Sequence, residues 1–101
     1  MFIYNITMKA EPAILDEWLA WQHAEHIPEI MATGCFTGYR FFRLLDIDES
    51  DGPTFVIQYE AAERNDYERY LQHFAETLRK RSNDRWQQRV VAFRTIMESV
   101  N

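Results

Sequence analysis

Four stretches of the chain alternate their side chains with a period of two and are rich in β-branched and aromatic residues. This pattern is typical of half-buried β-strands. The predicted strands are Phe2 to Lys9, Phe36 to Leu45, Phe55 to Glu60 and Val90 to Met97. An acidic segment containing Asp51-Gly52, a hairpin signal, joins the second strand to the third, so we expect these two to be antiparallel neighbours.

Two segments between the predicted strands repeat apolar side chains every three or four residues, as amphipathic helices do. Pro12 suits the first turn of the first helix. Pro28 is expected to stop that helix near His26, because proline has no backbone N–H to donate. Asn65 and Glu68 are expected to form a capping box at the start of the second helix. The apolar face of that helix is Tyr67, Tyr70, Leu71, Phe74, Ala75 and Leu78.

The order of elements is βαββαβ, with a short helical turn or loop over Ser82 to Gln88 before the last strand. Right-handed crossovers place both helices on one face of a four-stranded antiparallel sheet, which is an α+β architecture. Both faces of the strands carry apolar side chains, whereas a sheet with one wet face alternates more cleanly. The pattern therefore predicts that the bare sheet face packs against a second copy of the chain in a two-fold homodimer.

Length and composition narrow the class of protein. A chain of 101 residues is expected to form a single domain, residues 1–101. It is 47% hydrophobic, which again favours self-association, and its net charge of −5 argues against nucleic acid or an anionic membrane as partner. The single cysteine, Cys35, is expected to be a small buried thiol and cannot form an intrachain disulfide. With no apolar run long enough to span a bilayer, the chain is expected to be cytoplasmic.

The first predicted helix carries the candidate chemistry. Its inward stripe is Leu15, Trp18, Leu19, Gln22 and His26. Histidine titrates near neutral pH, so His26 is a candidate general acid or base. The alternative is a core-edge side chain that is bonded to the backbone. Gln22 lies one turn before His26, and we expect both to border a cleft together with Trp18 and Tyr39.

Two further groups of polar side chains have open assignments. Periodicity does not decide which sheet face the polar strand residues occupy: Asn5, Arg40, Arg43, Gln58 and Arg94. Basic residues also cluster late in the chain: Arg79, Lys80, Arg81, Arg85, Arg89 and Arg94. Such a cluster is typical of a solvated helix end, favoured by the helix dipole, and the alternative is a patch that binds a phosphate or an acid.

Three other kinds of site are not favoured. His23 and His26 are three residues apart, but His23 falls off the inward stripe and no zinc-type spacing follows, so we expect no metal. The acidic turn before the third strand has Ile57 where a calcium loop needs a bidentate Glu. The same element order occurs in RNA-recognition domains, but Asp51 and Pro53 replace the basic and aromatic residues that their motif requires.

The sequence resembles the dimeric α+β-barrel superfamily of ferredoxin-like proteins. The resemblance lies in the βαββαβ order, the aromatic second strand and a first helix that runs into His26-Ile27-Pro28. More narrowly, the whole chain resembles an uncharacterised family of small bacterial proteins, a domain of unknown function, whose members begin with a similar Phe-Ile-Tyr-Asn strand and carry a Glu-His-Ile-Pro segment. The resemblance implies a homodimer with sheets packed face to face and a cleft in each subunit.

The wider superfamily includes cofactor-independent monooxygenases, lactone isomerases and haem-degrading enzymes. Several of them use a histidine near the end of the first helix, which maps onto His26. No haem ligand or complete monooxygenase site is evident, so we expect no cofactor. The sequence thus favours a cleft for an aromatic or oxygenated small molecule with His26 as general acid or base. The alternative is a non-catalytic ligand-binding or interaction module in which His26 is structural.

Overall fold

The computed structural model describes residues 1–100. Its four strands form one antiparallel sheet in the order β2-β3-β1-β4. The strands are β1 Phe2–Ala10, β2 Gly38–Arg43, β3 Thr54–Ala61 and β4 Val90–Glu98. The predicted hairpin between the second and third strands is confirmed. Strand β2 is shorter than predicted, because Phe36 leaves the sheet edge and packs between the rings of Tyr59 and Tyr70.

The first helical region is longer than predicted. It comprises a 3-10 turn Pro12–Ile14, helix α1 Leu15–Trp21, a π-turn Gln22–His26 and helix α2 Ile27–Met31. The prediction that Pro28 stops the helix is therefore wrong. In the π-turn, the Ile27 N–H donates to the Gln22 carbonyl five residues back. A wider turn directly before Pro28 accommodates a ring that would clash with the preceding carbonyl in a regular α-helix, and the helix continues.

The second helical region begins two residues earlier than predicted. Helix α3 is Arg64–His73, and its capping box is formed by Glu63 and Asp66. The Asp66 carboxylate accepts the Glu63 backbone N–H at 3.3 Å, and the Glu63 side chain accepts the Asp66 N–H in return. The predicted box of Asn65 and Glu68 is therefore wrong. An extended Glu63 with an aspartate three residues on performs the same reciprocal bonding as the more familiar sequence.

Helix α4, Ala75–Trp86, follows a break at Phe74, and a 3-10 turn, Gln87–Arg89, leads into β4. Ser82 to Gln88 was predicted to be a short helical turn or loop; it is helical, and it continues α4 as far as Trp86 instead of forming a separate element. The buried Trp86 indole fastens the last turn of α4 to the core. An ion pair between Lys80 and Asp84, one turn apart, supports the same turn on the solvent side.

The helices cover one face of the sheet, as predicted, and the core lies beneath them. Along β1 every second side chain is buried, and β3 repeats the pattern in register with it. The largest fully buried side chains are Tyr4, Trp18, Ile27, Ile30, Ile57, Tyr59 and Tyr70. Cys35 is buried as expected. Within residues 1–100, no helix has the length and apolar character needed to cross a membrane.

The opposite sheet face, which we call the open face, is apolar yet uncovered by any helix. Its exposed apolar side chains are Phe42, Val91, Phe93 and Met97. Phe93 is 67% exposed although it lies in the middle of a strand. The observed ferredoxin-like α+β fold thus has the two apolar sheet faces that the strand pattern predicted.

Candidate functional site

A cavity of about 40 Å³ lies between the helix-facing side of the sheet and the helices. We call it the inner cavity. Its walls come from every layer of the fold: Tyr4, Ile6, Met8, Trp18, Gln22, His26, Ile30, Ile57, Tyr59, Tyr70, Arg79, Ser82, Val90, Ala92 and Arg94. One enclosed water needs roughly 10–15 Å³, so the inner cavity has room for a few atoms of a ligand.

A second, outer recess of about 280 Å³ adjoins the inner cavity at the end of α4. It is lined by Arg79, Ser82, Asn83, Trp86, Gln87, Val90, Ala92 and Arg94. Five of these residues line both spaces: Arg79, Ser82, Val90, Ala92 and Arg94. Together the two spaces match the lower end of the range for small-molecule pockets, roughly 300–1,000 Å³.

Three of the four predicted site residues line the inner cavity together. They are Trp18, Gln22 and His26, which come from α1 and the π-turn. Tyr39 lies one ring further along the sheet: its ring centroid is 6.3 Å from that of Tyr59, which does line the cavity. A role of Tyr39 in the site stays a prediction.

The His26 ring is held by aromatic stacking. It lies nearly parallel to the Trp21 indole, with 4.5 Å between ring centroids and an interplanar angle of 17°. The Trp21 ring in turn meets the Trp86 ring edge-on at 5.7 Å. The chain of rings ties the π-turn to the end of α4, so the orientation of the imidazole is coupled to the position of that helix.

Burial keeps the His26 imidazole neutral. Desolvation lowers the pKa of His26 from 6.5 to about 4, with a partly opposing effect of Glu29, which raises it, and a further lowering by Arg94. The Glu29 carboxylate is bound by Arg81 at 2.7 Å. The buried Nδ1 atom of His26 has no hydrogen-bond partner among residues 1–100. A neutral ring with an unused nitrogen can exchange a proton or a hydrogen bond with a bound molecule.

The Gln22 amide is the other polar group that the π-turn brings to the inner cavity. It is the buried polar side chain of the core, and its Nε2 donates to the Met8 sulfur at 3.8 Å. A thioether is a weak acceptor. An amide that is buried with only a weak acceptor is costly. A stronger hydrogen bond from Gln22 to a ligand would therefore be favourable.

Tyr4 links three elements at the boundary between the inner cavity and the outer recess. Its phenol oxygen accepts a hydrogen bond from Arg79 Nη2 at 3.0 Å and another from Arg94 Nε at 3.1 Å. Tyr4 lies on β1, Arg79 on α4 and Arg94 on β4. Two guanidinium groups thus converge on one buried, uncharged oxygen.

Tyr59 and Tyr70 add two further phenol rings to the wall of the inner cavity. Burial and the neighbouring phenols raise the pKa of Tyr59 well above its usual value, and burial also raises the pKa of Tyr70. Both side chains are therefore neutral at physiological pH. The wall offers hydroxyl groups and ring faces, and carries no negative charge.

The structure assigns faces to the polar strand residues that the sequence left open. Arg94 lies opposite the buried Ile6 in the sheet and faces the helices. Asn5, Gln58 and Arg40 share the open face, since they lie at matching positions of neighbouring strands. Arg43 bonds to Glu49 in the adjacent hairpin at 2.8 Å. Of the five, Arg94 therefore borders the cavity.

Of the polar cavity residues, Tyr4 was not singled out by the sequence, and Arg79 was named only as one member of the late basic cluster. Each had a usable signal. Tyr4 falls in the buried set of β1, and a buried phenol needs a hydrogen-bond partner. Arg79 comes four residues after Ala75 on the apolar face of the helix, where a basic residue is out of place.

The late basic cluster divides into two groups. Lys80, Arg81 and Arg85 form the solvated helix end that we expected. Lys80 pairs with Asp84, Arg81 with Glu29 and Arg85 with Glu17. Arg79 and Arg94 instead face the cavity.

A metal site finds no support in the part of the chain that is described. Within residues 1–100, no three His, Cys, Asp or Glu side chains gather as a metal-binding group. His23 is exposed on the other side of the π-turn, and its ring meets the edge of Phe41 at 5.3 Å.

Several solved structures share this fold at low sequence identity. An antibiotic biosynthesis monooxygenase is 19% identical, with full coverage of both chains and a TM-score of 0.65. An ethyl tert-butyl ether d (EthD) family protein from Bacillus halodurans is 11% identical over 99% of this chain and 100% of the other, with a TM-score of 0.74. A dimeric ferredoxin-like protein from an uncultured marine organism is 12% identical over 99% and 96% of the two chains, with a TM-score of 0.64.

These likenesses confirm the ferredoxin-like α+β fold. None of the curated proteins matches the sequence at a significant level. A family model described as a domain of unknown function, DUF4286, matches residues 1–100. The chain is therefore a member of the DUF4286 family, whose function is not assigned.

Proposed function

We propose that this protein binds a small oxygenated organic molecule in the inner cavity and outer recess, and that His26 acts there as general base and acid. The observation that carries the proposal is the buried Nδ1 of His26, which has no hydrogen-bond partner among residues 1–100 and belongs to a ring on the cavity wall. A neutral imidazole can take a proton from a bound molecule and return it, whereas a protonated one cannot act as a base.

The surroundings of His26 fit an oxygenated ligand. Gln22 and the phenol of Tyr4 contribute hydrogen-bond donors and acceptors to the cavity wall. Apolar walls from Ile6, Ile57 and Trp18 enclose the rest. A mostly apolar enclosure with a few convergent polar groups is typical of sites that orient small organic molecules.

We also propose that the protein is a homodimer that buries the open face. The support is the uncovered row of apolar side chains on that face, of which Phe93 and Val91 are more than half exposed. A monomeric protein of this size rarely leaves such a row in water. One protein of the same fold is described as dimeric, which is consistent with this arrangement. The cavity lies on the helix side, so each subunit would keep its own site.

A second candidate function is a non-catalytic binding module, which the stacking of His26 on Trp21 favours. In that case the imidazole serves as a flat aromatic plate, and its low pKa only keeps a buried charge from forming. The cavity would then bind a molecule without transferring a proton.

Catechol and acetophenone, two neutral oxygenated aromatic probes, distinguish these functions. We expect each probe to change the tryptophan fluorescence and to shift the imidazole ¹⁵N signals of His26 at millimolar concentration. His26→Gln should weaken binding, whereas His23→Gln, a change in the exposed histidine on the other side of the turn, should not. Exchange of the acetophenone methyl protons in D₂O, followed by NMR, reports general-base activity.

Exchange that is catalysed by the wild type and His23→Gln but lost in His26→Gln supports the catalytic function. Binding without exchange supports the non-catalytic module. A His26 signal that stays unchanged at saturating probe, or equal affinity in His26→Gln, would remove His26 from the site.

A further inference from the structure

Arg79 and Arg94 are unusual among the basic residues of this acidic protein. Most of its other Lys and Arg side chains form ion pairs, from Arg40 with Glu60 to Arg85 with Glu17. Within residues 1–100, neither Arg79 nor Arg94 has a carboxylate oxygen within 4.0 Å. Both instead donate to the uncharged Tyr4 oxygen. Two like charges have thus been brought together without a counter-charge in a protein of net charge −5.

Such an arrangement is unfavourable unless something compensates it. Two guanidinium groups that share one acceptor repel each other; solvent reduces the repulsion at the exposed Arg94 and does so less at the half-buried Arg79. The Arg79 Nε atom is buried and has no hydrogen-bond partner among residues 1–100. Each guanidinium has five N–H donors and uses one of them on Tyr4, so both keep donors for a further acceptor.

The outer recess provides space for that acceptor next to both guanidinium groups. Its wall includes the hydrogen-bonding side chains of Ser82, Asn83 and Gln87, and the indole of Trp86. Val90 and Ala92 add apolar surface. The recess therefore combines a site of positive charge with hydrogen-bonding side chains and a smaller aromatic and apolar surface.

Building on the proposed function, we infer that the ligand is a small organic acid whose carboxylate binds between Arg79 and Arg94, with its apolar or aromatic body against the recess wall. A carboxylate matches the planar fork of a guanidinium and neutralises the paired positive charge. A carboxylate on an organic body is favoured over a free phosphate because Trp86, Val90 and Ala92 give part of the wall an aromatic and apolar surface that a phosphate would leave uncovered. This location lies beside His26, whose pKa Arg94 already influences.

Benzoate, benzamide and inorganic phosphate test the inference, since benzamide is the uncharged counterpart of benzoate. We expect benzoate to bind at millimolar concentration or below, roughly tenfold or more tightly than benzamide, as charge-assisted hydrogen bonds imply. Arg94→Gln and Arg79→Gln should each weaken benzoate binding by a similar factor and weaken benzamide binding much less, because the amide carbonyl carries no charge. Arg89→Gln is the matched control, because Arg89 is exposed next to β4 and lines neither space. Added salt should weaken benzoate binding alone.

Several results would overturn the inference. They are benzamide binding as tightly as benzoate, phosphate binding more tightly than benzoate, no benzoate binding at millimolar concentration, or wild-type benzoate affinity in Arg94→Gln. If Arg79→Gln does not fold, Arg94→Gln decides, because Arg94 lies on an edge strand with its side chain partly in solvent. Failure of the proposed function has a different result: the imidazole ¹⁵N signals of His26 do not shift when catechol or acetophenone is added.

Discussion

The two faces of the sheet are built from the same strands and are both apolar, but they differ in how polar groups are distributed. On the helix-facing side, Tyr4 is 1% exposed and the buried polar groups converge at one cavity. On the open face, polar side chains such as Asn5 and Thr95 bond to each other at 3.2 Å between exposed apolar neighbours. One face concentrates polarity at a single site, and the other spreads it across a flat surface.

Strand β4 shows this difference in adjacent residues. Arg94 faces the cavity and bonds to Tyr4, whereas Phe93 points the other way and is 67% exposed. Because side chains alternate along a strand, one edge strand can supply a charged group to a binding site and an apolar group to an interface. The apolar content of both faces therefore cannot be explained by a single core. One face packs under the helices and carries the cavity, and the other is the surface that we propose to pair with a second copy.

The largest expected effect is the loss of the homodimer in Phe93→Glu. An unpaired carboxylate buried at the centre of an apolar interface costs about 3–5 kcal/mol, which raises the dissociation constant by roughly a hundredfold or more. Sedimentation equilibrium at micromolar concentration should show a dimer for the wild type and a folded monomer for the variant. Leu45→Glu is the control, since Leu45 is 76% exposed in the hairpin away from the open face. A monomeric wild type, or a dimeric Phe93→Glu, would contradict the proposed interface.

A second comparison uses neighbouring residues on β3. Ile57 is fully buried beneath the helices, and Val56 is half-buried on the open face. In the monomeric Phe93→Glu background, Ile57→Ala should lower the free energy of unfolding by about 2–5 kcal/mol, because it leaves a cavity in the core. Val56→Ala should cost about 1 kcal/mol or less, because solvent already reaches that side chain. Urea unfolding measures both, and equal losses would mean that the open face is packed within a single subunit.

The sequence predicted the strands and their two faces well, because a period of two survives small errors in strand boundaries. It also put Trp18, Gln22 and His26 on one stripe, and the structure places all three on the wall of one cavity, while their roles stay predictions. Residues four apart lie on the same side of both an α-helix and the wider π-turn. The three side chains therefore share one side although the predicted helix end at Pro28 was wrong. Local spacing was sufficient for this part of the site.

The rest of the site depends on contacts between distant parts of the chain. The hydrogen bond from Arg79 to Tyr4 spans 75 residues, and that from Arg94 to Tyr4 spans 90. No local pattern reports which buried phenol meets which guanidinium. The π-turn was missed for a related reason: it depends on how the Pro28 ring fits the preceding turn, and periodicity alone treats every proline as a helix end.

A further expected effect concerns pH and acts on the helix-facing side alone. The folded pKa of His26, about 4, lies below the ordinary histidine value of 6.5 because the ring is buried. Between these two values the unfolded chain binds more protons than the folded one, so the stability rises with pH. The contribution is complete above pH 6.5 and is lost as the pH falls toward 4, with a total on the order of 3 kcal/mol.

Urea unfolding between pH 4 and pH 7 measures this effect. The parent is the Phe93→Glu monomer, and it is compared with the same protein that also carries His26→Gln. Glutamine does not titrate. As the pH falls from 7 to 4, the unfolding free energy of the Gln variant should therefore decrease less than that of its parent. The control is His73→Gln, which alters an exposed histidine on α3 and should keep the slope of the parent. A His26→Gln slope that matches the parent would mean that the imidazole titrates like a solvent-exposed group, and the cavity would then be open to water where the structure encloses it.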